Sequence, residues 1–274
     1  AVFGIYLRVL KELASNRLDR VSIPVLDAEK FFVRKFQKIR AKTSTWIGRD
    51  ASGEYTLLLT LASDHFFGRL IGPEKEIVFR PGRDGSTVVS KLVDPRFEVP
   101  LIGDEVTAPR GLEEPYAAYD LPDDGTRLDM MVLYTNGMAS AYPGSQIDTR
   151  IQNLIDQSNL ALANSQIDTQ LNLVYSQAVN YPDDSIGDMR EALDDLTKNL
   201  GVFSNVETLR TLYGADQVTL LRQYVDEGCG MAWPLKATTD AGHAYSVVHD
   251  AEKTDNSGYY CSELTFVHEF GHNL

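Results

Sequence analysis

The hydrophobic positions of this chain change their period twice. Between residues 46 and 99 they come in short runs, at 55–61, 66–71, 76–79 and 86–93, with turn formers at Gly53, Gly72-Pro73, Pro81-Gly82 and Asp84-Gly85. Runs of that length and spacing predict a small antiparallel β domain. Ahead of them, Leu7, Leu10, Leu13 and Leu18 sit among charges in a helix-compatible opening. The basic run Lys30-Phe31-Phe32-Val33-Arg34-Lys35-Phe36-Gln37-Lys38 is expected to be a solvated face interleaved with core aromatics rather than a polyanion site.

From Leu128 the pattern becomes one of strands alternating with helices. Residues 128–135 read as a buried strand, Ile147, Ile151, Leu154, Ile155 and Leu162 as a helical stripe, and Leu171, Leu173 and Tyr175 as a strand. Met189, Leu193, Leu196 and Leu200 predict a second helix, and Val206, Leu209 and Tyr213 a short third one. Strands fit 217–221, 230–233 and 245–249. A last helix is expected from about Ser262, with Ser262 as its cap, Glu263 at its positive end and Leu264, Val267 and Phe270 as apolar contacts. The fold class that follows is α/β (α+β), a mixed, mostly parallel sheet with packed helices, preceded by a small β-rich domain. Residues 100–127 carry Pro100, Pro109, Pro115 and Pro122 with many carboxylates and no apolar period, as a linker does; Arg110 and Arg127 are plausible processing points in it. The expected organisation is thus 1–99, a linker at 100–127, and 128–274.

Charge separates the same two regions. The formal charge of -13 divides into 17 basic and 12 acidic residues over 1–99 (+5), and 9 and 27 over 100–274 (-18). An acidic domain repels phosphate backbones, so a nucleic-acid partner is excluded. No stretch approaches the roughly 18 apolar residues of a membrane span. The chain starts at Ala1 without the charged segment and cleavage site of a signal peptide, so an export signal is expected upstream. Its two cysteines, Cys229 and Cys261, form a close pair. They suggest one disulfide and an oxidising, extracellular setting, the alternative being two buried thiols. A bridge would close a loop of about 33 residues and add roughly 3 to 4 kcal/mol by loop entropy.

Chemistry concentrates in the last helix, Thr265-Phe266-Val267-His268-Glu269-Phe270-Gly271-His272-Asn273-Leu274, which contains H-E-x-x-H. Positions i and i+4 share a helix face, so His268 and His272 can reach one Zn2+ ion, and Glu269 can stand beside it as general base for a water. His65, His243 and His249 show no ligand spacing and read as structural or solvated.

Residues 265–274 resemble the active-site helix of the metzincin zinc peptidases, and H-E-x-G-H-N-L is similar to their reprolysin or adamalysin branch. Asp129-Met130-Met131-Val132-Leu133-Tyr134 resembles that family's opening strand, Gly230-Met231-Ala232-Trp233 its edge strand, and Ser246-Val247-Val248-His249-Asp250 the strand before the catalytic helix. The resemblance covers residues 128–274 and implies a secreted zinc metalloendopeptidase with a protein or peptide substrate laid along Gly230, Met231, Ala232 and Trp233 by β-addition. Trp46-Ile47-Gly48 and Phe67-Gly68-Arg69-Leu70-Ile71 resemble a reprolysin-type propeptide, which implies a precursor whose residues 1–99 are an intramolecular prodomain.

The family's pattern runs on to a glycine and a third histidine, due at positions 275 and 278, and then to the Met-turn. With two ligands up to Leu274, the chain as given is expected to bind zinc weakly and hydrolyse little. Residues 1–228 hold no cysteine, which excludes a thiolate latch; Leu101-Ile102-Gly103-Asp104 is expected to be an ordinary turn, the alternative being that Asp104, which resembles the aspartate of astacin propeptides, caps the zinc. The competing readings are a zincin whose third ligand is a distant Glu, and a non-catalytic zincin-like binding or scaffold module.

Overall fold

A computed structural model describes residues 19–25, 28–73, 75–82, 88–94, 96–99, 127–183, 188–224, 228–234, 241–250 and 257–273. The opening stretch from Leu7 to Leu18, the 100–126 connection with Asp104 and Arg110, and Leu274 lie outside the described residues. In chain order the strands are β1 (Arg20–Val25), β2 (Ala28–Ile39), β3 (Ser44–Arg49), β4 (Thr56–Leu61), β5 (Phe66–Ile71), β6 (Glu76–Pro81), β7 (Val88–Leu92), β8 (Arg127–Thr135), β9 (Gln170–Val179), β10 (Gln217–Gln223), β11 (Gly230–Ala232) and β12 (Tyr245–Asp250). The helices are α1 (Asn136–Ala141), α2 (Gln146–Asn164), α3 (Met189–Thr197), α4 (Val206–Tyr213) and α5 (Thr265–His272). The chain divides into two compact units, residues 1–95 with 142–156, and residues 96–141 with 157–274.

The first unit is a seven-stranded sheet in the order β1 to β7, antiparallel at every pairing. Phe32, Trp46, Leu57, Leu59, Phe66, Leu70 and Phe79 form its apolar core on one face, as the period of two requires. The basic run proves to be β2, and of its aromatics only Phe32 is buried; Phe31, Val33 and Phe36 are exposed. Alternation turns Phe31 and Val33 away from Phe32. A bulge between Arg34 and Phe36 then shifts the register by one and puts Phe36 opposite Ile47, on the face away from Trp46.

On that second face the first three turns of α2 meet the sheet through polar groups. The carboxylate of Asp156 accepts hydrogen bonds from Arg40 Nη2 at 3.0 Å, Thr45 Oγ1 at 2.6 Å, Thr60 Oγ1 at 2.7 Å and Gln152 Nε2 at 3.1 Å. Asn153 Nδ2 donates to Thr60 Oγ1 at 3.1 Å, His65 Nε2 lies 2.9 Å from Thr149 Oγ1, and the Arg150 guanidinium rests over Phe67. Burial pushes the Asp156 carboxyl above its ordinary pKa, against the opposing pull of Arg40 and the three neutral donors.

The second unit is built on a five-stranded sheet in the order β11-β12-β10-β8-β9. β8 pairs parallel with β9 and β10, β10 parallel with β12, and β11 antiparallel with β12 at the edge. The mostly parallel description thus applies to this sheet and not to the first. Its core joins Met131, Leu133, Leu220 and Val247 of the strands to Met189, Leu193 and Leu196 of α3. The Asp188 carboxylate caps α3 by accepting from Glu191 N at 2.7 Å. That helix stops at Thr197, short of the expected Leu200, which is exposed, because Asn199 turns left-handed at φ 54°. Asp183 ties the ends of two strands to α1, accepting from the Thr135 hydroxyl, from Gly137 N at 2.9 Å and from Gln223 N at 2.9 Å. Residues 97–99 run beside Tyr260, whose N–H donates to Phe97 O at 3.1 Å and whose carbonyl accepts from Val99 N at 3.1 Å.

Removing the acceptor on which four donors converge leaves buried polar groups without it. Asp156→Ala is expected to cost about 3 kcal/mol, and Asp156→Asn, which keeps one acceptor, clearly less. Urea unfolding followed by Trp46 fluorescence measures both; equal losses would show that the donors find other partners.

Candidate active site

Helix α5 begins at Thr265, two residues later than a cap at Ser262 implied. Ser262 forms the turn ahead of it instead, its Oγ accepting from Leu264 N at 3.3 Å and its carbonyl from Thr265 N at 3.1 Å. Glu263 does not stand free at the helix end; it is buried and accepts from Gln157 Nε2 at 2.9 Å. The face that anchors α5 is Phe266 and Phe270, both buried, with Leu264 and Val267 only partly covered. This i, i+4 apolar pair leaves the next face, His268 and His272, partly open.

On that face His268 Nε2 and His272 Nε2 stand 3.2 Å apart, with ring planes at 88°. Two tetrahedral zinc ligands at 2.0 to 2.1 Å would have their nitrogens about 3.3 to 3.4 Å apart. The observed separation is close to that value. Among the described residues, no group of three or more His, Cys, Asp or Glu side chains is arranged to hold a metal ion.

Glu269 lies between the two histidines in sequence and has no exposed surface. Its carboxylate occupies the space beside the β11 backbone where a side chain on Gly230 would be: a Cβ built there would overlap Oε1 and Cδ. Only a glycine at 230 lets the edge strand pass so close to the carboxylate. Of the four edge residues, only Met231 is partly exposed. Ala232 and Trp233 are buried, and the Trp233 indole donates from Nε1 to Thr197 Oγ1 at 2.7 Å in the core.

The edge strand is fixed at both ends. At one end Cys229 and Cys261 form a disulfide, Cα to Cα 5.3 Å, packed with Tyr224 and Val99. The Cys229 carbonyl also accepts from His249 N at 2.7 Å. At the other end Asn273 Nδ2 donates to Trp233 O at 2.6 Å. The histidines without ligand spacing are structural: His65, His243 and His249 are all buried. His249 donates from Nδ1 to Gly228 O at 2.9 Å, and burial, then the charge of Arg222, lowers its pKa from 6.5 to about 4. Asn273, Thr197 and Gln157 carry no signal in the sequence, because each sits beside polar or charged neighbours and outside the apolar periods.

Residues 124–274 match the sequence profile of Metallo-peptidase family M12. The peptidyl-Asp metalloendopeptidase of Pseudomonas aeruginosa is 29% identical over 155 residues, 54% of this chain and 24% of that protein, so the chain spans about a quarter of that relative's length. The crystal structure of metalloproteinase-II from Bacteroides fragilis shares the fold at a TM-score of 0.53 and 13% identity, covering 93% of this chain and 79% of that one.

His249 carries a pH dependence. The unfolded chain takes up a proton below about pH 6.5 that the folded chain refuses until about pH 4. Stability from this group is therefore complete above pH 6.5 and lost as pH falls through that window, at most ~1.4 kcal/mol per unit. His249→Phe is expected to flatten the profile of unfolding free energy between pH 6.5 and 4; a profile as steep as that of the parent would refute this. Thiol titration of the unfolded, unreduced protein is expected to find no reactive cysteine.

Proposed function

The chain belongs to Metallo-peptidase family M12, and on that premise we propose that it is the precursor of a secreted zinc metalloendopeptidase that cleaves peptide bonds in proteins. The observation that carries the proposal is the pair of imidazole nitrogens 3.2 Å apart on one helix face, with the buried carboxylate of Glu269 on the same helix.

In this reading His268 and His272 hold the zinc ion through Nε2. Zinc supplies Lewis acidity, lowering the pKa of a water to about 7 and stabilising charge on the scissile carbonyl. Glu269 takes the proton from the attacking water and delivers it to the leaving amine. The close packing of its carboxylate against Gly230 fixes the point from which that proton moves. The substrate lies along β11 as an added strand, held by backbone hydrogen bonds at the sheet edge.

Residues 1–99 act as the prodomain, 100–127 as the connection and 128–274 as the catalytic region. The charges, +5 over 1–99 and -18 over 100–274, favour association of the prodomain with the rest of the chain. A disulfide within the catalytic region supports an extracellular location, and no helix among the described residues is long and apolar enough to cross a membrane. The Pseudomonas relative is named for peptidyl-Asp bonds; peptides with and without Asp at the scissile bond test that preference here.

In the full-length protein, hydrolysis of an unstructured protein substrate is expected to stop with a chelator and return with added zinc. Glu269→Gln is expected to lower kcat by at least about 10³-fold with zinc still bound. Cleavage that survives either treatment would overturn the assignment.

A further inference from the structure

We propose that Asn273, the residue after His272, is a positioning residue that sets the separation between the edge strand β11 and the Glu269 carboxylate. The inference rests on the peptidase reading but concerns a residue that neither binds metal nor touches the reacting bond.

Asn273 ends helix α5, its backbone N–H donating to Phe270 O at 3.0 Å, and its side chain is almost completely buried. From there it reaches three other segments of the unit. Its Nδ2 donates to Trp233 O at 2.6 Å, just beyond β11, and to His243 O at 3.4 Å in the 3-10 turn Ala241–His243. Its own carbonyl accepts from Gln217 Nε2 at 3.1 Å, at the start of β10. Asn273 lies one helical turn beyond Glu269, and Trp233 three residues along the strand from Gly230. Strand and helix therefore run side by side and meet at two places, the close packing of Gly230 on Glu269 and the hydrogen bond of Asn273 to Trp233.

The chemistry of the contact selects a carboxamide. Two carbonyl oxygens converge on one nitrogen, which needs a group carrying two N–H donors. An aspartate of the same shape would set carboxylate oxygen against both carbonyls and push the strand away, while alanine would leave both carbonyls buried without this donor. The far side of Trp233 is anchored by Thr197, and Cys229 is anchored by the disulfide. A shift at residue 273 is therefore taken up in the strand between them, where Gly230 meets the base. A peptide added to β11 would move with it relative to Glu269, and misplacement of about 1 Å costs on the order of 10²-fold in rate.

The test uses the zinc-loaded full-length protein with Asn273→Asp, Asn273→Ala and, as a variant that keeps one donor, Asn273→Ser. Asp and Ala are expected to lower kcat on an extended peptide by about 10- to 100-fold with KM within about threefold of the parent, at unchanged zinc content, and Ser to fall between. Hydrogen exchange of the β11 amides is expected to rise about tenfold or more in Asp and Ala. Leu162→Ala, a cavity variant in α2, serves as a control that lowers thermal stability while leaving kcat, KM and β11 exchange unchanged. Asn273 variants that lose only stability, as Leu162→Ala does, would overturn the inference. Exchange needs no catalysis: if the parent cleaves nothing, the peptidase reading fails, and faster exchange at β11 still supports the positioning role. Unchanged exchange in a folded Asn273→Ser or Asn273→Asp protein defeats it whatever the activity.

Discussion

A carboxylate with no exposed surface has to be given room by its neighbours, and in this protein the room beside Glu269 exists because residue 230 has no side chain. Much of the second unit is arranged around that contact. Strand β11 runs antiparallel to β12 at the sheet edge, with its backbone against the helix. The disulfide at Cys229 and the hydrogen bond from Asn273 hold its two ends, and Phe266 and Phe270 hold the helix. The two histidines then face outward by helical geometry alone. The helix that carries His268, Glu269 and His272 is thus kept in place by ordinary packing: an apolar pair beneath, a glycine beside and a carboxamide at the end.

The same economy of polar groups governs the first unit. Helix α2 buries Ile151, Leu154 and Ile155, yet Thr149, Asn153 and Asp156 are almost as deeply buried. Such a helix is tolerable only because its polar atoms are matched, Asp156 by Arg40, Thr45, Thr60 and Gln152, and Thr149 by His65. Asp183 does the equivalent work at the ends of β8 and β10. In each case one carboxylate gathers donors from segments far apart in sequence.

Some of this could be read from the chain. Strands β8 and β12 end within a residue of where the pattern predicted them, whereas β9 runs on to Val179, past Tyr175 where its alternation of apolar residues stopped. The H-E-x-x-H spacing predicted two imidazoles on one face, and they stand on one face. Other elements were not legible. β2 looked like a charged surface with core aromatics, but a one-residue bulge turned Phe36 to the face away from Trp46, and no local signal announces a bulge. Leu200 kept the helical period past the point where Asn199 turned the backbone out of it. Ser262 had the composition of a cap, but the turn it makes starts the helix three residues on.

The sequence by itself therefore determined the division into two chemically unlike regions, the apolar periods of the strands and helices, and the identity of the histidine and glutamate side chains on α5. These are local properties, carried by residues within a turn or two of one another. Only the tertiary structure decided that Gly230 yields its space to Glu269, that Asn273 ties helix α5 to the edge strand, and that Asp156 rather than an apolar side chain fastens α2 to its sheet. Those outcomes depend on hydrogen bonds and steric room between segments 39 to 111 residues apart. The hydrophobic period says which side of an element is buried, and it is silent on what that side will touch.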